Sequence, residues 1–212
     1  MPDIYGSERD INEIIELLPS KVTKHMTRVA GIVNFLAQKR HLVDTNSCNL
    51  GKSELFNYGD AALYHDIGKA FIPSRILTKS SEFTREEFET MKKHTICAQV
   101  IFEDISRGSI LGIPEHLVEL ARDAAISHHE WWNGNGYPYG ICRDDIPLIA
   151  RITSVSDAYD AITNNRVYRE ARPHIEACRE LKAWSGIQFD PDIVKLFLDN
   201  EREILDFVNT SM

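Results

Sequence analysis

The amino-acid sequence predicts a single all-α domain. Apolar residues recur at helical spacing along most of the chain, and several segments begin with capping or proline signals typical of helices. No series of strands with two-residue alternation is evident, and hydrophobic residues make up 43% of the 212 residues, enough for a full core. We expect residues 1–19 to form an N-terminal helical extension and residues 20–212 to form the main domain.

The N-terminal third is predicted to contain two helices, a polar loop and a third helix. Ser7 begins the first helix in an S-x-x-D pattern, and Pro19 ends or redirects it. Apolar residues at helical spacing predict a second helix over 22–36. The polar stretch 43–52 reads as a loop, and a helix through 53–68 follows it.

The rest of the chain is predicted to be helical around one aromatic, glycine-rich loop. Thr84 and Glu87 form a capping-box pattern, and Asp190 followed by Pro191 has the form of an N-cap with proline at the first helical position. The predicted elements are helices over 84–106, 114–129 and 147–164, a helix from 173, a final helix over 190–207, and a loop at 130–147.

Charge and composition exclude several classes of function. The formal net charge of -8 argues against a polymeric nucleic-acid partner, which would need a basic surface. It leaves a small phosphate ligand open, because bound metal ions can supply local positive charge. The N-terminus has no apolar signal region and no apolar run approaches about 18 residues, so we expect neither secretion nor a membrane span.

The cysteines indicate a reducing, cytoplasmic setting. The four residues are far apart and form no CxxC pair. We therefore expect their thiols to act as small buried hydrophobic groups. They are Cys48, Cys97, Cys142 and Cys178.

Histidines and aspartates recur in a pattern that predicts a metal site. Imidazole with carboxylate suits Fe, Mn, Zn or Ni. The candidate ligands are too many for one ion and suit two metals that share a bridging carboxylate, an arrangement used for phosphate-ester hydrolysis or for O₂ chemistry. The candidates are His25, His65, Asp66, His94, His128, His129 and Asp157.

The His65-Asp66 pair is predicted to lie within a helix, where neighbouring side chains diverge by about 100° and approach a metal from different sides. Asp66 is the natural bridge, since a carboxylate offers two oxygens. Lys69 follows three residues later on the same face, where its ammonium would neutralise a substrate phosphate. The alternative for Lys69 is a surface salt bridge with Asp66.

The pattern as a whole resembles the HD-GYP domain, a branch of the HD superfamily of metal-dependent phosphohydrolases. The resemblance covers roughly residues 20–200. The most specific segments are HHEWWNGNGYP at 128–138 and SDAYDAITNNRVYR at 156–169, in addition to HDIGK at 65–69. The proline of the usual R-P-Y-R segment is replaced by Val167.

The resemblance implies an all-helical HD-type fold with the metal centre between helices, and hydrolysis of cyclic di-GMP to pGpG or GMP. It implies that the seven candidates named above are the metal ligands, with Asp66 bridging and Lys69 contacting the scissile phosphate as the catalytic pair. Lys21 stands where some members carry a glutamate ligand for a third metal, so two divalent ions are expected, Fe or Mn rather than Zn.

The resemblance also implies the substrate contacts. It assigns Asp160, Arg166 and Arg169 to the substrate pocket, and arginine suits phosphate and guanine edges. It places Tyr137 either on a surface that contacts a diguanylate cyclase-type partner or over the site.

Three other functions remain open from the residues. The first is a phosphodiesterase for another cyclic dinucleotide, such as 3′,3′-cGAMP, because nothing in the sequence determines base choice. The second is a catalytically weak cyclic-dinucleotide receptor or docking module, against which the complete ligand set argues. The third is a di-iron oxygenase, against which the GYP loop and the R-x-Y-R segment argue.

Overall fold

The computed structural model describes residues 9–43, 57–164 and 170–211, and the described chain is almost entirely helical. The all-α prediction is confirmed. The helices are α1 (Ile11–Glu16), α2 (Ser20–Val43), α3 (Tyr58–Ala62), α4 (Ser74–Leu77), α5 (Arg85–Lys92), α6 (His94–Ser106), α7 (Glu115–Ser127), α8 (Leu148–Thr163), α9 (His174–Ala183), α10 (Pro191–Asp199) and α11 (Glu201–Ser211).

Short 3₁₀ helices and one small strand pair complete the described elements. The 3₁₀ helices are Ile67–Phe71 and Arg143–Asp145. The sequence did not predict the strands β1 (Arg9–Asp10) and β2 (Ile110–Leu111), which pair in parallel. Among the described residues, no helix combines the length and apolar character needed to cross a bilayer.

Helices α2 and α8 form the centre of the fold. Val29 and Leu36 of α2 and Ile152 and Val155 of α8 are completely buried in one hydrophobic core. Helix α2 packs against both α3 and α8, and α7 packs against α3, α6 and α8. Ile11, in the segment predicted as an N-terminal extension, is also buried in this core, while the boundary after residue 19 stays a prediction.

The predicted capping signals are found in the structure. The Thr84 side chain accepts from the Glu87 backbone N–H, and the Glu87 side chain accepts from the Thr84 backbone N–H, so the capping box is complete. Asp190 caps α10 by accepting from Asp192 N at 2.8 Å, with Pro191 at the first helical position. In both helices a backbone N–H group of the first turn thus donates to a local side chain, as expected for helix N-termini.

Three predicted helices were wrong in their continuity. The helix over 84–106 is broken at Lys93, which ends α5 and precedes α6. The final helix is broken at Asn200. The α-helix predicted over 53–68 ends at Ala62, so the His65-Asp66 pair lies in a turn before the 3₁₀ helix.

Two segments, 1–8 and 44–56, lie outside the described residues. They hold Ser7 and most of the predicted loop.

Candidate metal centre

Seven predicted ligands come together from five parts of the fold. Each part contributes its side chains from a position fixed by the helical framework: His25 from α2, His65 and Asp66 from the turn after α3, His94 from the first residue of α6, His128 and His129 from the end of α7, and Asp157 from α8. The break at Lys93 matters for the site, because it makes His94 the first residue of α6 and places that residue beside Asp66.

Asp66 lies at the centre of the cluster and is 1% exposed. Its Oδ2 lies 3.5 Å from His65 Nε2 and 3.6 Å from His25 Nε2. Its Oδ1 lies 3.6 Å from His94 Nε2 and 3.9 Å from His128 Nε2. Each carboxylate oxygen thus faces a different pair of imidazoles, which is the arrangement that a bridging ligand needs.

The imidazoles are oriented by backbone carbonyls. In three of them Nδ1 donates to a carbonyl about one turn earlier in the chain: His65 to Ala62 at 2.9 Å, His94 to Met91 at 2.7 Å and His128 to Ala124 at 2.9 Å. Donation from Nδ1 leaves the Nε2 lone pair directed at the centre, as in metal-binding histidines. These three Nε2 atoms and Asp66 Oδ1 are buried and have no hydrogen-bond partner among the described residues.

Burial keeps the inner imidazoles neutral. It lowers the pKa of His94 to about 3 and that of His128 to about 4. The pKa values of His65 and His129 are lowered for the same reason. At neutral pH all four rings are therefore uncharged, and each keeps one nitrogen lone pair that can bind a cation.

His25 is held in a different way. Its Nδ1 lies 2.6 Å from Asp160 Oδ2 and its Nε2 lies 3.0 Å from Asp157 Oδ1. Burial alone would lower the pKa of His25, but the hydrogen bonds to both carboxylates outweigh burial and raise the pKa to about 9. A cation bound by both His25 and Asp157 would take the place of the proton between them, because histidine binds metal only through a neutral ring.

Asp160, predicted to contact the substrate, lies in the wall of the neighbouring cavity, and both of its oxygens are already engaged. Arg28 donates to Asp160 through Nε at 2.6 Å and through Nη2 at 2.9 Å, in addition to the His25 contact. The side chain is 2% exposed. This geometry favours a positioning role for Asp160, and Arg28 is a site residue that the sequence reasoning missed although it follows His25 by one helical turn.

Lys69 reaches Asp66 because of the 3₁₀ helix. Residues three apart eclipse in this conformation, and Lys69 Nζ lies 2.5 Å from Asp66 Oδ2. Burial would raise the pKa of Asp66, but Lys69 and the imidazoles hold it well below its usual value. The pair predicted as an alternative for Lys69 is therefore present, within the cavity rather than on the open surface.

The glycine-rich loop after His129 closes one side of the cluster. Tyr137 stacks on His129 with ring centroids 4.8 Å apart, and Lys92 lies 5.5 Å from the centre of the Tyr137 ring. Gly136 makes this possible, since a Cβ there would lie 2.2 Å from Trp131 N. The Tyr137 ring thus lies beside His94 and His129 of the candidate centre.

Glu130 holds the loop in place. Its Oε1 accepts from Tyr139 N at 2.7 Å and from Gly140 N at 3.2 Å, and the residue is 2% exposed. Glu130 thus anchors the loop through Oε1, while its Oε2 is buried and has no hydrogen-bond partner among the described residues.

A cavity of about 320 Å³ opens beside the cluster, and its wall combines four basic residues with the acidic Asp157 and Asp160. Its basic side chains are Lys21, Arg28, Lys69 and Lys79, and its aromatic side chains are Phe83, Phe88 and Tyr137. A phosphate ester with flat bases is the kind of ligand that such a surface suits. The predicted contacts Arg166 and Arg169 lie outside the described residues.

Comparison with known proteins relates this chain to the HD domain. The family profile of the HD domain matches residues 10–193. The chain is 37% identical over 182 residues to a probable cyclic di-GMP phosphodiesterase of Vibrio cholerae, covering 86% of this chain and 41% of the relative. It is 32% identical over 191 residues to the 3′3′-cGAMP-specific phosphodiesterase 2 of the same organism, covering 90% of this chain and 34% of the relative.

A solved structure shares the fold. The HDG"Y"P protein Bd1817 from Bdellovibrio bacteriovorus aligns with a TM-score of 0.61 at 22% identity, over 87% of this chain and 52% of the other. The chain spans less than half the length of the two relatives from Vibrio cholerae.

Proposed function

This chain belongs to the HD-domain family, and on that premise we propose that it is a metal-dependent phosphodiesterase that hydrolyses cyclic di-GMP. One observation carries the proposal: the buried, unpartnered Nε2 atoms of His65, His94 and His128 surround Asp66. Leaving such atoms unpaired costs free energy, and a cation removes that cost. The name of the Vibrio cholerae relative and the predicted GYP loop support the choice of substrate.

Two divalent ions fit the ligands. The ligand atoms form two groups, each within 4.8 Å, on the two sides of Asp66: His94 with His128 and His129, and His25 with His65 and Asp157. These ligands are nitrogen and oxygen without sulfur, which supports Fe or Mn. Lys21, an ammonium in the cavity wall, disfavours a third cation nearby.

The chain's own residues would do the following in the reaction. Bound ions supply activation of water and neutralisation of charge on the phosphoryl group. Lys69 holds an ammonium at the edge of the cluster, where it would bind a phosphoryl oxygen. Asp160 orients His25, and Tyr137 shields one side of the cluster from water. The expected products are pGpG and, after a second cleavage, GMP.

The metal content is the first test. Purified protein reconstituted with Fe or Mn should hold about two ions per chain, since the ligands form two groups that share Asp66. Elemental analysis measures this directly, together with turnover of cyclic di-GMP. A content of one or of three Fe or Mn ions, with any zinc counted separately, would contradict the proposed centre.

Lys69→Ala should slow hydrolysis and leave the metals in place. Loss of one charge-assisted contact is worth about 1.5–3 kcal/mol, or on the order of tenfold to a hundredfold in kcat/KM. Lys24→Ala is the matched control, because Lys24 is an exposed lysine of α2 that does not line the cavity. Loss of metal in Lys69→Ala would mean that the lysine supports the ligands instead of the substrate.

Arg166→Ala should raise KM for cyclic di-GMP without changing metal content. The reason comes from sequence alone: Arg166 follows the helix that carries Asp157, beyond the ligand positions, and a guanidinium pairs well with phosphate or guanine. Steady-state kinetics with metal analysis measures both quantities. An unchanged KM would mean that Arg166 does not bind the substrate, and the same argument would then fail for Arg169.

A phosphodiesterase for 3′,3′-cGAMP is the second candidate, favoured by the similarity to the cGAMP-specific relative. A panel of cyclic dinucleotides compared by kcat/KM separates the two substrates. Binding of cyclic di-GMP without turnover in metal-loaded protein would instead support a receptor, and turnover that depends on O₂ would support an oxygenase.

We also propose that this protein is cytoplasmic. We further propose that it contacts a diguanylate cyclase-type partner through the GYP loop. Tyr137 is stacked on His129, so such a partner would meet the neighbouring Tyr139, which is 56% exposed.

A further inference from the structure

A second cluster of metal-binding side chains lies apart from the centre described above. We propose that His174, Cys178 and Glu201 bind a Zn²⁺ ion. Each residue offers one ligand atom, and the three atoms lie within 4.8 Å of one another. His174 and Cys178 are four residues apart on α9, which places them on one helix face, and Glu201 begins α11. This site is independent of the proposed phosphodiesterase activity.

The distance between the first two ligand atoms fits a zinc ion. His174 Nε2 lies 3.4 Å from Cys178 Sγ. With Zn–S of about 2.3 Å and Zn–N of about 2.0–2.1 Å, tetrahedral geometry separates the two ligand atoms by about 3.6 Å. Binding an ion therefore needs only a small adjustment of either side chain.

Tyr159 orients the imidazole for this role. Its hydroxyl oxygen lies 3.0 Å from His174 Nδ1, and the tyrosine is 1% exposed, so the contact is held rigidly by the core. A partner on Nδ1 directs Nε2 toward Cys178, the arrangement found around metal-binding histidines. Tyr159 belongs to α8, the helix that also carries Asp157 and Asp160.

Charge also favours the ion. Without metal, Cys178 is a free, buried cysteine whose thiol carries a proton. On binding, Zn²⁺ replaces that proton, which is released to solvent. The thiolate and the carboxylate then cancel the charge of the ion, which suits a site where Cys178 is 4% exposed.

The choice of zinc follows from sulfur. A thiolate with imidazole and carboxylate is a zinc ligand set, whereas the catalytic cluster contains no sulfur. The ion would join α9 to the start of α11 and would anchor the C-terminal helix to the part of the fold that carries the catalytic aspartates.

Cobalt titration of the full chain tests the site without any activity measurement. Co²⁺ bound by a thiolate gives an intense charge-transfer absorption that nitrogen and oxygen ligands do not give, so the catalytic cluster is silent in this signal. In protein whose His/Asp centre is already loaded with Fe or Mn, we expect the absorption to saturate at about one equivalent of Co²⁺ per chain and to be abolished by excess Zn²⁺. It should be lost in Cys178→Ser and weakened in Glu201→Gln.

Two control variants define the outcome. Cys97→Ser and Asp66→Ala should both keep the absorption, because Cys97 is distant in sequence from the cluster and Asp66 belongs to the other site. Absence of the signal in folded wild-type protein would overturn the proposal, as would its persistence in Cys178→Ser. Circular dichroism shows whether Cys178→Ser folds. If it does not, Glu201→Gln decides instead, because Glu201 is half-buried, and an undiminished cobalt absorption in that variant overturns the proposal.

Discussion

Asp66→Ala should abolish hydrolysis and remove the metals together. The Asp66 carboxylate lies 3.5–3.9 Å from the Nε2 atoms of four histidines, His25, His65, His94 and His128. Without it neither metal group keeps its shared ligand. We expect a loss of about a thousandfold or more in kcat/KM, which is about 4 kcal/mol of transition-state stabilisation.

The loss of activity has to be separated from a loss of stability. Asp66 is a buried carboxylate that pairs with Lys69, and removing one partner of such a pair destabilises the metal-free protein because the other charge is left unpaired. We expect Asp66→Ala to unfold at a lower temperature than the metal-free wild type and also to lose the added stability from metal, so metal content and turnover are measured where the variant is folded. Asp60→Ala, at an exposed acid of α3, should retain both metal and activity. Two ions per chain in Asp66→Ala would refute the bridging role.

Gly68→Ala should destabilise the fold and separate the dyad from His94. A Cβ at Gly68 would lie 1.9 Å from His94 O and 2.7 Å from Ala98 N, both backbone atoms that cannot turn aside. The 3₁₀ helix and α6 must move apart. We expect the free energy of unfolding to fall by about 3 kcal/mol or more, with loss of metal binding, as measured by denaturant titration and elemental analysis.

Gly108→Ala is the comparison for this variant. Gly108 has a φ of 73° and no neighbour within 4 Å of a Cβ, so alanine there meets backbone strain without a clash. Its cost should be about 1–2 kcal/mol with metal binding retained. Equal effects of the two substitutions would show that close packing at Gly68 is not what joins the dyad to α6.

Much of the fold was predictable because helix signals are local. The capping box at Thr84 and the N-cap at Asp190 depend on residues within one turn of each other, and both were read correctly. The breaks at Lys93 and Asn200 were not predicted, since neither residue is proline or glycine. Packing of the flanking helices against different neighbours decides where those helices turn.

For the site too, local features were predictable from the sequence, and features that depend on packing were not. The sequence by itself determined which side chains could hold metal, because residue type and motif spacing carry that chemistry. It also predicted that Asp66 and Lys69 lie close together. It did not show that the dyad leaves the α-helix, since the 3₁₀ conformation is imposed by the close contact of Gly68 with α6.

Only the tertiary structure decided which groups are partners across the chain. Asp160 binds Arg28, which is 132 positions away, and Cys178 meets Glu201 from another helix. Cys178 was expected to be a small buried hydrophobic group, and its burial agrees, but its polar neighbours were invisible in the spacing of the cysteines. Local propensity acts over a few residues, whereas such pairings depend on how the helices pack, and packing is a property of the whole fold.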